Sequence, residues 1–119
     1  MNINTGDTET IVRRHLQAFI EQQGLDAILN DYADDACFLS DDRAYCGKPA
    51  IRGFFTDFIG ALPPEAISLF KLHSLLVKGD VAYITWSAGQ QLPLGTDTFV
   101  VRQGRIVSQT FAMYAAPAN

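Results

Sequence analysis

Two side chains in this sequence suit proton chemistry inside an apolar site: Asp97 and His15. Within the stretch 94–102, Asp97 alternates with Phe99 and Val101, so a strand there puts the carboxyl on the face that carries the bulky apolar groups. Beside Phe99 and Trp86 the carboxyl is short of water, which penalises its charged form. Held neutral, it donates a hydrogen bond to a carbonyl or an anion; held ionised, it accepts one or takes a proton. The alternative is a solvated position at the mouth of the site, or a cap on the backbone amides of 95–98. His15 lies four residues after Ile11 and four before Phe19 on a helical stripe. From there it reaches the rim of the site and forms an acid–base dyad with Asp97 or Asp41; the alternative is a helix-edge ring in solvent.

Tyr32, Ser40 and Gln109 are further polar tips expected on the inner side, either aimed at a ligand or satisfied by backbone. Trp86, Phe99 and Met113 share the inward parity of their strands. Phe38, Phe55, Phe58 and Phe111 are the phenylalanines expected to line a cavity, the others being core. A mostly apolar pocket with a few convergent polar groups is the usual makeup of a small-ligand site. His73 shares parity with Lys71 and belongs on the outer face.

Other chemistry is poorly supported. Asp34–Asp35 and Asp41–Asp42 lack a spaced His or Glu and are explained as turns, so no metal and no cofactor is expected. There is no phosphate-cradling glycine loop and no recognisable nucleophile triad. The net charge is −4, and the nine Lys and Arg never cluster beyond Arg13–Arg14, which excludes a general nucleic-acid or anionic-membrane binder. Residues 1–10 are polar and no apolar run approaches the roughly 18 residues of a membrane span, so a cytoplasmic protein is expected. Cys37 and Cys46 then read as reduced thiols, with a bridge across a hairpin as the alternative.

The elements that position these groups follow from periodicity. With 119 residues the chain reads as a single domain, 1–119. Ile11, Val12, Leu16, Phe19 and Ile20 form one stripe of a helix over about 7–23, closed by Gly24. A short helix follows with Leu25, Ile28, Leu29 and Tyr32 at helical spacing and ends at Asp34–Asp35. Strands over 36–40 and 43–46 flank an Asp41–Asp42 turn, and Gly47 and Pro49 open a third helix with Ile51, Phe54, Phe55, Phe58 and Ile59 on its apolar face. Four strands complete the chain, at 67–77, 80–88, 94–102 and 105–114, with Lys78–Gly79 and Gln103–Gly104 as hairpin turns. The order α-α-β-β-α-β-β-β-β predicts an α+β fold, a curved antiparallel sheet wrapped around three helices. Its outer face carries Val81, Tyr83, Thr98, Val100, Ile106, Thr110 and Tyr114; it is neither charged nor plainly apolar, where a solvated face would hold more Lys and Glu, and so reads as partly covered. A second copy of the chain is the simplest cover, giving a homodimer.

Three segments carry a family resemblance: GLDAILNDYADDACFLSDD at 24–42, YCGKPAIRGFF at 45–55 and GTDTFVVRQGRIVSQTF at 95–111. Together they resemble the nuclear transport factor two-like superfamily, in its SnoaL-like and ketosteroid isomerase-like branch. The resemblance implies a cystatin-like cone. Aligned with ketosteroid isomerase, the general-base position falls on Ser40 or its neighbour Asp41, the helix-1 tyrosine on Leu16, and the protonated aspartate on Asp97. A supporting tyrosine matches Tyr32, and another meets Phe55. One of three principal catalytic positions is retained, so the resemblance implies a compact hydrophobic ligand while arguing against steroid isomerisation. It leaves a cofactor-free isomerase, dehydratase or cyclase using Asp97, or a non-catalytic ligand-binding or protein-interaction module of the same fold.

Overall fold

The computed structural model describes residues 5–117. Three helices, α1 (Thr5–Ile20), α2 (Leu25–Leu29) and α3 (Lys48–Ala61), pack against six strands, β1 (Tyr32–Ser40), β2 (Arg43–Cys46), β3 (Phe70–Lys78), β4 (Val81–Ala88), β5 (Leu94–Arg102) and β6 (Arg105–Tyr114). The strands form one curved, unclosed sheet in the order β2-β1-β6-β5-β4-β3. The expected α+β architecture and element order are therefore present. One pairing differs from the expected antiparallel pattern: β1 and β6 run parallel, joining Phe38 to Gln109 and Ser40 to Phe111 across the middle of the sheet.

Local chemistry moves several boundaries. α1 ends at Ile20, before Gly24, because Gln22 takes the left-handed conformation (φ 53°) and the Gln23 amide reaches back to the Ala18 carbonyl at 3.0 Å. α2 is a single turn, and Tyr32 belongs to β1, not to that helix. Asp34 and Asp35 are exposed strand residues rather than a turn. The Asp41–Asp42 turn is as expected, with Asp41 at φ 55°. At the β5–β6 hairpin, Gln103 and Gly104 both have positive φ, the signature of a twist-matched two-residue turn.

Two bulges reset the inward parity. In β6 the register slips between Val100–Ser108 and Val101–Ile106, leaving Val107 as the extra residue. Ile106, expected on the outer face, is thereby turned inward and fully buried. In β3 the slip at His73 leaves His73 exposed, with its Nε2 2.7 Å from the Ser87 hydroxyl. The inner faces of β4 and β5 are as expected: Ala82, Ile84, Trp86 and Ala88 are buried, as are Asp97, Phe99 and Val101. At the far end of the core, the buried Thr8 of α1 donates to the Gly79 carbonyl at 2.8 Å, tying the helix to the β3–β4 turn.

The cysteines correct the reduced-thiol expectation. Cys37 on β1 and Cys46 on β2 are directly opposite in the ladder, with Cα atoms 4.1 Å apart, and are joined as a disulfide. Directly opposed side chains on neighbouring antiparallel strands have little distance to cross. The bridge fastens the edge strand β2 to the sheet and closes a loop with a sequence separation of 9. Chain-entropy arguments give such a short loop about 2–3 kcal/mol. Purified protein should therefore show no titratable thiol, and reduction should lower its unfolding free energy by about that amount. Free thiols under native, non-reducing conditions, or an unchanged denaturation midpoint after reduction, would contradict the bridge.

Candidate functional site

Asp97 sits on the floor of the concave face, paired in the ladder with Ile84 on one side and Phe111 on the other. It is 7% exposed, which rules out the solvated alternative. Both carboxyl oxygens accept hydrogen bonds from side chains: Trp86 Nε1 donates to Oδ1 at 2.8 Å, and Gln109 Nε2 donates to Oδ2 at 2.8 Å. Burial pushes the Asp97 pKa up to about 6, and the two N–H donors, which favour the carboxylate, hold it from rising further. At neutral pH the group is mainly ionised. It is an acceptor surrounded by donors, not a protonated donor.

The polar chain continues past Gln109. Its Oε1 accepts a short hydrogen bond from the Tyr32 hydroxyl. Tyr32 Oη also lies 3.4 Å from His15 Nε2, and His15 Nδ1 lies 3.3 Å from the Ile28 carbonyl oxygen. Burial lowers the His15 pKa to about 4, against the partly compensating Asp31 charge and Ile28 carbonyl. The ring is thus neutral at pH 7. With its proton on Nδ1, facing the carbonyl, Nε2 carries a lone pair beside the Tyr32 oxygen, whose single proton goes to Gln109. Burial, followed by the charges of Asp97 and Asp31, raises the Tyr32 pKa well above the ordinary tyrosine value, so it keeps its proton.

The expected dyads are not formed. His15 is 3% exposed, not a helix-edge ring in solvent, and it connects to Asp97 through Tyr32 and Gln109 rather than directly. Asp41 is exposed in the β1–β2 turn and cannot be its partner. His15 is instead held by rings: Tyr32, Phe55 and Phe99 meet it edge-on at centroid distances of 5.1, 6.2 and 5.7 Å.

Asp97, Gln109 and His15 face a cavity of about 60 Å³. At a water's liquid share of about 30 Å³, this holds about two waters or one compact group. Of the residues expected to line it, Leu16, Phe38, Phe55 and Phe58 do so from the helices and β1, and Trp86, Phe99 and Phe111 from the sheet. Tyr32 and Ser40 are buried but stand outside the wall, Tyr32 acting through Gln109. Met113 opens instead onto an outer groove.

Phe19, Phe54 and Phe70, which the sequence places in the core, also line the cavity, as do Leu62 and Leu92. Phe54 stacks on Phe58 one helical turn away (centroids 5.6 Å apart), a contact the i, i+4 spacing implies. Leu92 comes from an irregular loop, and no periodic signal marks it. Among the described residues no group of three or more His, Cys, Asp or Glu could hold a metal ion, and no helix is long and apolar enough to cross a membrane.

The shape of this half-cone is widely shared. Residues 12–109 match the family model described as a SnoaL-like domain. Among solved structures, a protein of unknown function from Mesorhizobium loti, described as NTF2-like, has 22% identity and a TM-score of 0.74, covering 93% of each chain. A SnoaL-like protein of unknown function from Burkholderia thailandensis has 19% identity and a TM-score of 0.77, covering 95% of this chain and 99% of its own. A provisionally named polyketide cyclase from Sinorhizobium meliloti has 21% identity and a TM-score of 0.72, covering 87% of this chain and 94% of its own. These likenesses concern the fold. No curated protein matches the chain significantly. By the extent of the match, which takes in both the α1 stripe and the β5–β6 floor, the chain belongs to the SnoaL-like domain family.

Proposed function

We propose that residues 1–119 form a single domain that binds a compact, largely hydrophobic molecule in the Asp97 cavity and moves a proton on it without a cofactor, as an isomerase, dehydratase or cyclase does. The observation that carries this reading is the Asp97 carboxylate, buried on the wall of an aromatic cavity and fed by two N–H donors. A carboxylate with a pKa near 6 is well matched to general-base work at neutral pH. His15 lines the same cavity and is the second titratable candidate, while Leu16 offers only methyl groups where ketosteroid isomerase has a tyrosine, so the steroid mechanism is not proposed. Activity on the right substrate should rise with pH through about 6, following Asp97 ionisation.

The test begins with native mass spectrometry for a co-purifying small molecule, followed by turnover assays with and without Asp97→Asn. Loss of a general base costs about 10²–10⁴ in rate. Turnover unchanged in the variant would end the catalytic reading. A second reading, ligand binding without chemistry, is favoured by the small cavity and by Asp97 having both oxygens already engaged; it predicts a bound ligand that is released unaltered.

We also propose a homodimer through the outer face of the sheet, where Leu76, Val81 and Tyr83 are exposed. Tyr83→Lys should then sediment as a monomer; an unchanged dimer mass would remove that surface from consideration. A cytoplasmic compartment is proposed, and the Cys37–Cys46 bridge, more at home in an oxidising setting, is the observation that weighs against it.

A further inference from the structure

A second depression lies immediately outside the Asp97 cavity and shares Phe58, Leu62 and Leu92 with it. It offers about 300 Å³, several times the space of the inner chamber. Its remaining wall is made by Ala61 and Pro63 at the end of α3, by Met113 of β6, and by Gln91, Ala115 and Ala116. The Ala116 amide donates to the Gln91 carbonyl at 2.9 Å, so the two loops forming this rim are fastened to each other. No Lys, Arg, Asp or Glu contributes to the wall. A charged occupant would find no charged side chain to pair with there, whereas an alkyl chain would meet mostly apolar side chains.

We propose that this groove is a tail subsite: the ligand is an uncharged amphiphile whose hydroxyl-bearing head lies against Asp97 and whose apolar tail passes between Phe58, Leu62 and Leu92 into the groove. The proposal rests on the reading of Asp97 as the acceptor for the head. The inner chamber has room for one compact group, so any longer molecule must leave it, and the shared residues mark where it leaves. The occupant is a ligand tail rather than a segment of another protein, because the groove adjoins the ligand cavity across three common side chains, of which Leu92 is buried and Phe58 and Leu62 are half-buried.

The test uses phenol and 4-ethyl-, 4-butyl- and 4-hexylphenol. Binding is read from the fluorescence of Trp86, the chain's one tryptophan, which hydrogen-bonds Asp97 directly. For the wild type, affinity should rise about fourfold per added methylene once the tail enters the groove. In Ala61→Lys and Ala116→Glu, which place a charge in the groove at positions that are exposed or half-buried, phenol should bind as in the wild type, while the gain per methylene falls below about twofold. An equal gain per methylene in both variants and the wild type, or no gain in the wild type, overturns the tail subsite. Asp97→Asn separates the two claims. It should weaken every phenol about tenfold or more while keeping the gain per methylene. Unweakened phenol binding in Asp97→Asn overturns the Asp97 reading on which the proposal rests, whatever the tail does.

Discussion

The stability difference between wild type and Asp97→Asn should shrink by about 2–3 kcal/mol as pH rises from 4 to 6. The pKa of Asp97 is raised from 3.8 to about 6 in the folded protein. Across that window the native state therefore holds a proton that the unfolded chain has lost, and stability falls with increasing pH. At 1.36 kcal/mol per unit, a shift of about two units gives the quoted size. His15 works in the opposite direction. Its pKa is lowered from 6.5 to about 4, so between those values the unfolded chain binds a proton that the native state refuses, and stability rises with pH. The two buried groups largely cancel in the wild type, which should look nearly indifferent to pH over this range as far as they are concerned. Each variant unmasks the other group: wild type minus Asp97→Asn slopes downward with pH, and wild type minus His15→Phe slopes upward by about 3 kcal/mol. Denaturant titrations at half-unit pH steps measure both curves. Parallel curves for wild type and Asp97→Asn would mean that the carboxyl titrates normally and is not the buried group described here.

Gly95→Ala should be among the most damaging single-methyl additions in the protein. Gly95 is the cross-strand partner of Trp86, and the indole lies over it so closely that a Cβ would overlap Cδ2, Cε2 and Cζ2. The backbone there is ordinary, so the need is for space and not for a glycine conformation. Adding the methyl must push the ring away, and with it the Nε1 donor that reaches Asp97. Overpacking of this kind costs about 1–3 kcal/mol, and a lost bond to a charged group adds to it. The expected result is a drop of about 3 kcal/mol in unfolding free energy, a shifted Trp86 emission, and a higher Asp97 pKa, since one of its two donors is gone. Gly53→Ala is the control. Gly53 lies in the middle of α3 with nothing within 4 Å of a Cβ, and alanine there should stabilise by about 0.5–1 kcal/mol. A Gly95→Ala protein with wild-type stability and emission would mean that the indole does not lie where it is described.

Much of the architecture could be read from periodicity because one face of each strand is buried and one helix stripe is apolar. Trp86, Asp97 and Phe99 were assigned inward by simple alternation. The rule failed where the count of two breaks. The extra residue Val107 turned Ile106 inward, and no local feature of the sequence marks that bulge. Asp34 and Asp35 looked like a turn because acidic pairs favour turns, yet they occupy the exposed part of a long strand. The polar network was legible only in part. Tyr32, Gln109 and His15 were all picked out, but their connection depends on β1 lying parallel to β6, a pairing between segments far apart in sequence. A spacing of nine residues between Cys37 and Cys46 cannot say whether two strands hold them face to face.

The parallel contact between β1 and β6 also bears on how the molecule is made. Translation delivers Tyr32 well before Gln109, and the first of these strands finds its central neighbour only when the second has emerged. Until then β1 has only β2 beside it and Asp97 lacks its amide partner. Such distant pairings are slow to form. A ribosome-bound chain halted before residue 105 should therefore remain protease-sensitive, and the interior should close as one late event.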